Sequence, residues 1–495
     1  MLIAILCVPL GVAIVAALLP ARFSAPLSVL GSLVTLGLTI ALVVGFDTGV
    51  PGLQYVVDES WIPGLGVRFQ LGIDGISLFL VVMTALLWAA TFAWSAWRLP
   101  DRPKNYFLML GIGEFAVMGA FLAQDLLLFV LFFDLMLVPF FFLVGSYGTG
   151  DRVRATIKMM VYTLVGSLLM LVAAIAAAVL TAENTGELSF AMADLRANVL
   201  PEGSQEWIFL FFAAAFLVKM PSFPLHGWMP DAYRAAPLPV LALLSGVLPK
   251  VAAYGFLRVA LPIFPDATVE FQDLILVLAL LSVIYGSAMA FTQTNVRLVA
   301  GYSSIAQLGF ITLGIFSLSA DGANGSVLQM VNHGLVVAPI FLIIAILAER
   351  YGTEDLREMG GAAMRAPVLA LAFLIVTLAT LAMPGSANFI GEFYILNGLF
   401  DDQTAFAVIA MAGVAMAAFY ALRMYQKTMH NRLPDGVESR EMSLRDASVL
   451  VPLVLVIVGI ALYPTLILQR GEASVQDKVG AVTTAQEESE LAARP

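Results

Sequence analysis

Apolar residues run along this chain in long blocks, separated by short polar or charged connections. Each block holds about 20 residues, the length a helix needs to cross the hydrocarbon core of a bilayer. Fourteen such segments can be placed, beginning near residues 2, 26, 76, 105, 126, 155, 206, 237, 271, 297, 325, 366, 404 and 447. The longest polar stretches are the loop at about 183–206, the loop at about 430–445 and the tail after Gln469. None is long enough to fold as a separate soluble domain. The pattern therefore predicts an all-α polytopic membrane protein of about 14 transmembrane helices. The chain starts Met1-Leu2-Ile3-Ala4 with no basic region ahead of the apolar run, which predicts a retained first helix rather than a cleaved signal peptide.

Composition sharpens this. Of 495 residues, 60% are hydrophobic and 12% charged, where soluble domains carry about one quarter charged residues. A soluble enzyme is excluded. The single cysteine, Cys7, excludes an internal disulfide or a thiolate cluster. The net charge of −10 is accounted for by acidic loops on the outer face, without a cationic partner.

Fourteen spans make thirteen loops that alternate between the two sides. The odd-numbered loops hold seventeen of the 25 Lys and Arg residues, among them Arg98, Arg102, Arg152, Arg234, Arg297 and Arg350. The even-numbered loops hold Arg68, Arg196 and Arg258, and the tail holds Arg470, Lys478 and Arg494. By the positive-inside rule the odd loops face the cytoplasm and both termini face outward.

Two basic residues are left over, Lys219 and Lys250, and both fall inside spans. Lys250 lies 13 residues past Pro237, about 20 Å along its helix. Lys219 lies 12 residues past Trp207, too deep for its stem to snorkel comfortably to the headgroups. Glu114, Asp134 and Glu392 also interrupt apolar runs. Each intramembrane charge costs about 2.5–3.5 kcal/mol, so the five together cost on the order of 15 kcal/mol. A buried ion pair that fixes helix packing explains any one of them alone. Five in five different spans point to a transport pathway. Desolvation and a movable carboxylate partner act on a lysine in opposite directions, so such a pair is a switchable proton site. His333, in Val-Asn-His-Gly-Leu-Val, is a packing residue on its own account and a relay when read beside the lysines. His430 reads as a surface residue.

The seventh span runs into Lys219-Met220-Pro221-Ser222-Phe223-Pro224, with His226 just beyond. The twelfth runs into Met383-Pro384-Gly385-Ser386. Proline removes a backbone donor and clashes with the preceding turn, so both helices are expected to be discontinuous near mid-membrane. Such backbone survives only inside protein or along a wet cavity. Pro249, directly before Lys250, is expected to distort the eighth helix as well. Because the breaks lie five spans apart, the units 105–262 and 263–430 form two inverted five-helix repeats. Three helices precede them in 1–104. A loop with the last span occupies 431–469, and a polar tail 470–495.

Four stretches carry a resemblance: Phe132-Phe133-Asp134-Leu135-Met136-Leu137-Val138-Pro139; Val218-Lys219-Met220-Pro221 with Pro224-Leu225-His226-Gly227-Trp228-Met229-Pro230; Tyr302-Ser303-Ser304-Ile305-Ala306-Gln307-Leu308-Gly309-Phe310; and Asn388-Phe389-Ile390-Gly391-Glu392-Phe393. Over about residues 70–430 the chain resembles the antiporter-like membrane subunits of respiratory complex I, the NADH:quinone oxidoreductase. Its length leaves no room for the extra C-terminal spans and lateral helix of chain L, and Glu392 stands where chain N typically has lysine. The resemblance implies that Asp134 and Lys219 form a modulating pair, Lys250 is the central relay, His333 extends the hydrophilic axis and Glu392 is the terminal site. Glu114, His226 and Gln307 would support them. Two positions depart from the family pattern. Asp134 is one methylene shorter than the usual glutamate. Gln307 replaces a frequent histidine and can hydrogen-bond or hold water but cannot carry a proton.

The resemblance further implies a proton-translocating subunit of the bacterial inner membrane, driven by redox chemistry elsewhere in its complex. FMN, iron–sulfur clusters and quinone are expected in partner subunits, with no cofactor or metal in this chain. Expected partners are the other membrane-arm subunits, especially neighbouring chains L and N, and the lipid bilayer. No nucleic-acid partner is expected, and no glycine-rich nucleotide loop accompanies either lysine. A subunit of a multisubunit cation/proton antiporter and a non-pumping structural subunit are the alternatives.

Overall fold

The computed structural model describes residues 1–50 and 52–492, with side chains through Gln486; the last three residues of the expected polar tail lie outside it. Helices begin close to each expected position. They are α1 Leu2–Leu18, α2 Ala21–Val44, α3 Gly75–Trp97, α4 Pro103–Leu122, α5 Leu126–Tyr147, α6 Arg152–Thr185 and α7 Glu202–Lys219. There follow α8 Leu238–Ile263, α9 Gln272–Thr292, α10 Val296–Ile315, α11 Ala320–Tyr351, α12a Pro367–Thr380 with α12b Ala387–Phe400, α13 Thr404–Met429 and α14 Leu444–Leu462. Among the described residues, eleven of these are long and apolar enough to cross a membrane, and α1 and α12a are shorter apolar helices. A last helix, α15 (Thr465–Ala492), occupies most of the tail.

Helices α8, α10 and α11 are buried along the whole of their apolar windows, whereas only a third of α2, α13 and α14 is. A helix that is apolar and enclosed all round belongs to the centre of a bundle. The three central helices are the ones that carry Lys250, Gln307 and His333. Around them α9 packs on α10, α12b on α11 and α7 on α6.

The expected discontinuities are present. Helix α7 stops at Lys219, and the chain resumes as short helices at Leu225–Trp228 and Met229–Ala235. The backbone groups freed there find partners: Trp228 Nε1 donates to Val218 O at 2.9 Å, and Phe223 N to Ser282 Oγ at 2.9 Å. Helix α12 is interrupted from Leu381 to Ser386, with Gly385 in the left-handed region at φ 93°. Helix α8 is broken at Val247, two residues before Pro249, because the proline ring displaces the carbonyl one turn back. Two features were not anticipated. Helix α5 is itself interrupted at Met136, three residues before Pro139, by the same proline effect. And the second loop forms an antiparallel hairpin, β1 Gln54–Ile62 with β2 Val67–Ile73. At its tip Gly66 adopts φ 64°, and a Cβ there would lie 1.8 Å from Leu188 O, so the turn admits only glycine.

One charge assignment is overturned. Arg258, expected in an outward loop, is a buried residue of α8 only 4% exposed. Its Nη1 meets Asp74 Oδ2 at 2.5 Å, and its Nη2 donates to Gln124 Oε1. Hydropathy reads an arginine as a span boundary; a buried carboxylate and amide compensate this one, and the helix runs on past it. Arg297, also expected in a loop, lies in the first turn of α10 and is bound by Glu354 and by the carbonyls of Tyr233, Arg234 and Ala236. Asp74 also N-caps α3 in a reciprocal box with Ser77. Beside it Ser474 of α15 accepts from Gly75 N at 3.1 Å, and Arg196 pairs with Asp477 at 2.7 Å, so the C-terminal helix is fastened to the start of α3.

Removing one member of a buried ion pair leaves an uncompensated charge, which costs about 3–5 kcal/mol. Asp74→Ala is therefore expected to lower the thermal midpoint of the detergent-solubilised protein markedly, and Asp74→Ala with Arg258→Leu to recover part of the loss. An unchanged midpoint in the single variant refutes a structural role for the pair.

Candidate functional site

Each intramembrane lysine sits against a carbonyl that a helix break has released. The last four carbonyls of a helical segment lack intrahelical donors. Phe133 O is one of these before the break at Met136, and Lys219 Nζ donates to it at 2.7 Å. Ser245 O is another before the break at Val247, and Lys250 Nζ donates to it at 2.8 Å. Lys219 also lies 4.0 Å from the Phe133 ring centroid, a cation–π contact that offsets part of its desolvation. Both lysines are buried, at 4% and 0% exposure.

Asp134 follows Phe133 directly and sits at the same break. No ion pair within 4 Å joins it to Lys219 among the described residues, and its buried Oδ1 has no hydrogen-bond partner. The carboxylate is thus a neighbour of the lysine rather than its bonded partner. A cavity of about 10 Å³ lies beside Lys219, lined also by Thr163, Trp228, Leu244 and Leu248 of the neighbouring helices. That is about the space of one water.

The tightest polar contact joins α8 to α11: Lys250 Nζ lies 2.7 Å from His333 Nδ1. At that distance one nitrogen donates and the other accepts, so the two groups are positioned to exchange a proton directly. Ser245 Oγ meets Ser304 Oγ of α10 at 3.0 Å, so a hydroxyl pair adjoins the lysine through Ser245.

From His333 the polar side chains continue along one face of α11. Gln329, Asn332 and His333 share that face, because residues three and four apart on a helix are neighbours. Gln329 Nε2 donates to Gln307 Oε1 at 2.7 Å, and Gln307 Nε2 donates to Glu392 Oε1 at 2.8 Å. Asn332 Nδ2 donates to Ala387 O, at the start of α12b, at 2.7 Å. Asn388, one turn before Glu392, is fully buried, and neither its oxygen nor its nitrogen has a hydrogen-bond partner. Gln329 Oε1 and Asn332 Oδ1 are likewise without one. An amide left unpaired in an apolar interior costs about 1–3 kcal/mol, so this cluster is an energetically expensive concentration of polar groups.

The structure thus brings Lys250, His333, Gln307 and Glu392 into one buried polar line across α8, α11, α10 and α12b, while Lys219 and Asp134 form a second buried polar site at the α5 break. His226 lies in the α7 break as expected, but its ring packs on Phe223 and Tyr285 and its Nδ1 is unpaired. Glu114 does not join the line. It faces α1 and α2 beside Ser28 and Ser32, and both its oxygens are unpaired. Pro221, Pro224, Pro249 and Pro384 all flank breaks. Sequence reasoning missed Ser245, Ser304, Gln329, Asn332, Asn388 and Tyr420, the last bonded by Ser303 Oγ at 3.0 Å. The spacing of Gln329, Asn332 and His333 within an apolar run was the available signal.

Residues 123–418 match a family described as NADH:quinone oxidoreductase/Mrp antiporter, transmembrane. NADH-quinone oxidoreductase subunit M of Rhodobacter capsulatus is 36% identical over 445 residues, covering 88% of this chain and 86% of that protein. Subunit M of Escherichia coli strain K12 is 36% identical over 478 residues, covering 92% and 93%. The fold is similar to that of a chain in respiratory complex I from Thermus thermophilus with bound NADH, with a TM-score of 0.89, 30% identity and coverage of 97% and 100%. A chain of the Mrp complex from a Dietzia species gives a TM-score of 0.82 at 20% identity, covering 97% and 99%, a likeness of fold alone.

The amide line depends on close approach of α11 and α12b. A Cβ on Gly391 would lie 2.4 Å from Gln329 Oε1 and 3.2 Å from Gln329 Cα. Gly391→Ala is expected to cost about 1–3 kcal/mol through overpacking, read as a lowered thermal midpoint. Gly11→Ala, where nothing lies within 4 Å, serves as the neutral comparison. Equal midpoints in the two variants would show that the helices can separate freely at this point.

Proposed function

Because this chain belongs to the NADH:quinone oxidoreductase/Mrp antiporter transmembrane family, we propose that it is a proton-translocating membrane-arm subunit of an NADH:quinone oxidoreductase. Its place corresponds to subunit M of the relatives, beside chains of the L and N types. Hydride and electron transfer belong to partner subunits holding FMN, iron–sulfur clusters and quinone. The chain lies in the bacterial inner membrane with both termini outward. Residues 105–262 and 263–430 act as two inverted half-channels that meet at Lys250.

The observation that carries this reading is the Lys250–His333 contact at 2.7 Å, in a fully buried setting and connected through amides toward Glu392. Lys219 rests on Phe133 O with Asp134 one residue away. A shift of the α5 break that carries the carboxylate onto the ammonium favours the protonated lysine; withdrawal favours release. The proton passes to the Lys250–His333 pair. Gln329 and Gln307 cannot carry it, so they orient water between His333 and Glu392, and Glu392 releases it outward.

Two alternatives stand further off. An Mrp-type antiporter shares the fold, but the similarity on that side is 20% identity against 36% for the subunit M relatives. A non-pumping scaffold has no use for two buried lysines whose placement costs several kcal/mol. Copurification with hydrophilic NADH-oxidising subunits, rather than small antiporter subunits, is the expected result in mild detergent.

Lys250→Ala in an assembled complex is expected to reduce NADH-driven proton translocation to background, and Glu392→Gln to impair it severely. Both are measured as acidification or pH-dye quenching in vesicles, with assembly checked on native gels. Undiminished pumping in assembled Lys250→Ala complex refutes the relay, and undiminished pumping in both variants favours the scaffold.

A further inference from the structure

A large cavity lies away from the polar line. It has a volume of about 1110 Å³ and opens where the ends of α3 and α4, α5 and α6, α8 and α11 come together. Its rim contains Arg98, Arg102 and Arg152, drawn from two loops far apart in sequence, against Asp101 and Glu349. All of these belong to connections assigned to the cytoplasmic side. Arg98 is committed, with its Nε 2.7 Å from Glu349 and an Nη 2.8 Å from Asp446. Arg152 gives Nη1 to the carbonyls of Ser146 and Gly148 and keeps its other donors. No hydrogen bond or ion pair holds the Arg102 guanidinium among the described residues, and its backbone stands at φ 53° just ahead of Pro103. The N-terminal ends of α4, α6 and α8 adjoin the same cavity, through Arg102, Arg152 and Pro237–Leu238. Each adds partial positive charge.

Below this rim the lining changes character. Leu108, Met109, Phe142 and Ala345 carry the wall down into the bilayer, and Phe142 is 45% exposed. Trp94 and Tyr106, both buried, and the half-buried Tyr147 complete the wall. A cationic rim above an apolar wall that includes the exposed Phe142 matches one ligand chemistry.

We infer that this cavity is a binding site for an anionic phospholipid, whose phosphate lies between Arg102 and Arg152 and whose acyl chains descend along Met109 and Phe142. A free phosphate explains the rim but leaves the apolar floor without a role. A zwitterionic lipid explains the floor but gains nothing from two guanidinium groups with unused donors. The anionic cytoplasmic leaflet supplies the lipid at the level where the arginines lie.

The test uses the assembled complex, delipidated in mild detergent and reloaded with phosphatidylglycerol, phosphatidylcholine or inorganic phosphate. Bound lipid is counted by mass spectrometry. The wild type is expected to retain phosphatidylglycerol over phosphatidylcholine at least fivefold more strongly than R102Q/R152Q does, and R102K/R152K to restore most of the difference. Equal retention in wild type and R102Q/R152Q overturns the site. Displacement by millimolar phosphate overturns the lipid in favour of a free anion. A phosphatidylglycerol with a photoreactive acyl chain is expected to label peptides containing Met109 or Phe142 in the wild type, a readout independent of how the variants fold. Labelling confined to other surfaces, or a photoreactive residue at position 142 that captures a neighbouring subunit in place of lipid, also overturns it.

Discussion

Two liabilities cancel at the centre of this protein. A proline-broken helix leaves carbonyls without donors, and a lysine in the bilayer core has donors without acceptors. Either alone is expensive in a medium with no water to share. Set together, as Lys219 on Phe133 O and Lys250 on Ser245 O, each supplies what the other lacks. The breaks in α5 and α8 are therefore the acceptor half of two lysine sites as well as kinks. The consequence is functional. A carbonyl is a dipole with no charge to neutralise, so it can accept from the lysine in either protonation state.

The rest of the fold keeps that arrangement fixed. Three helices enclosed on all sides carry the central groups, and the outer helices take the lipid contact. At one end Arg297 gathers three carbonyls and Glu354 around the start of α10. At the other, Arg258 joins α8 to the cap of α3, and the C-terminal helix closes over that junction. Lys250 lies eight residues before Arg258 on α8, about 12 Å along the axis, so the helix that bears Lys250 is held by a buried ion pair. The hydrogen-bond ladders of α5, α7, α8 and α12 are all interrupted.

Much of this was legible in the sequence for a physical reason. Crossing a bilayer demands long apolar runs, and any charge within one stands out against them. Lys219, Lys250 and Glu392 were visible on that ground, and the breaks of α7 and α12 were visible as proline. What stayed hidden was compensated chemistry. Arg258 looked like a loop residue because nothing local announces Asp74, 184 positions earlier, as its partner. Gln329, Asn332 and Asn388 are neutral amides that barely disturb hydropathy, yet they fill the interval between His333 and Glu392. Pro139 was in view and its effect on α5 was not drawn, although the reasoning applied to Pro221 and Pro384 applied there equally. The hairpin at Gln54–Ile73 escaped because most of its first strand is exposed, so no buried alternation marks it.

Gln307 decides what kind of line this is. It donates to Glu392 through its nitrogen and accepts from Gln329 through its oxygen, so its amide is oriented by both neighbours and cannot reverse without breaking two bonds. An oriented, non-titrating bridge transmits polarity without passing protons. Glu392 finds a donor on this side, whereas Gln329 Oε1, which lies against Gly391, and Asn332 Oδ1 have no partner. Neither amide can carry a proton, so the proposed passage from His333 to Glu392 needs a carrier other than these two side chains.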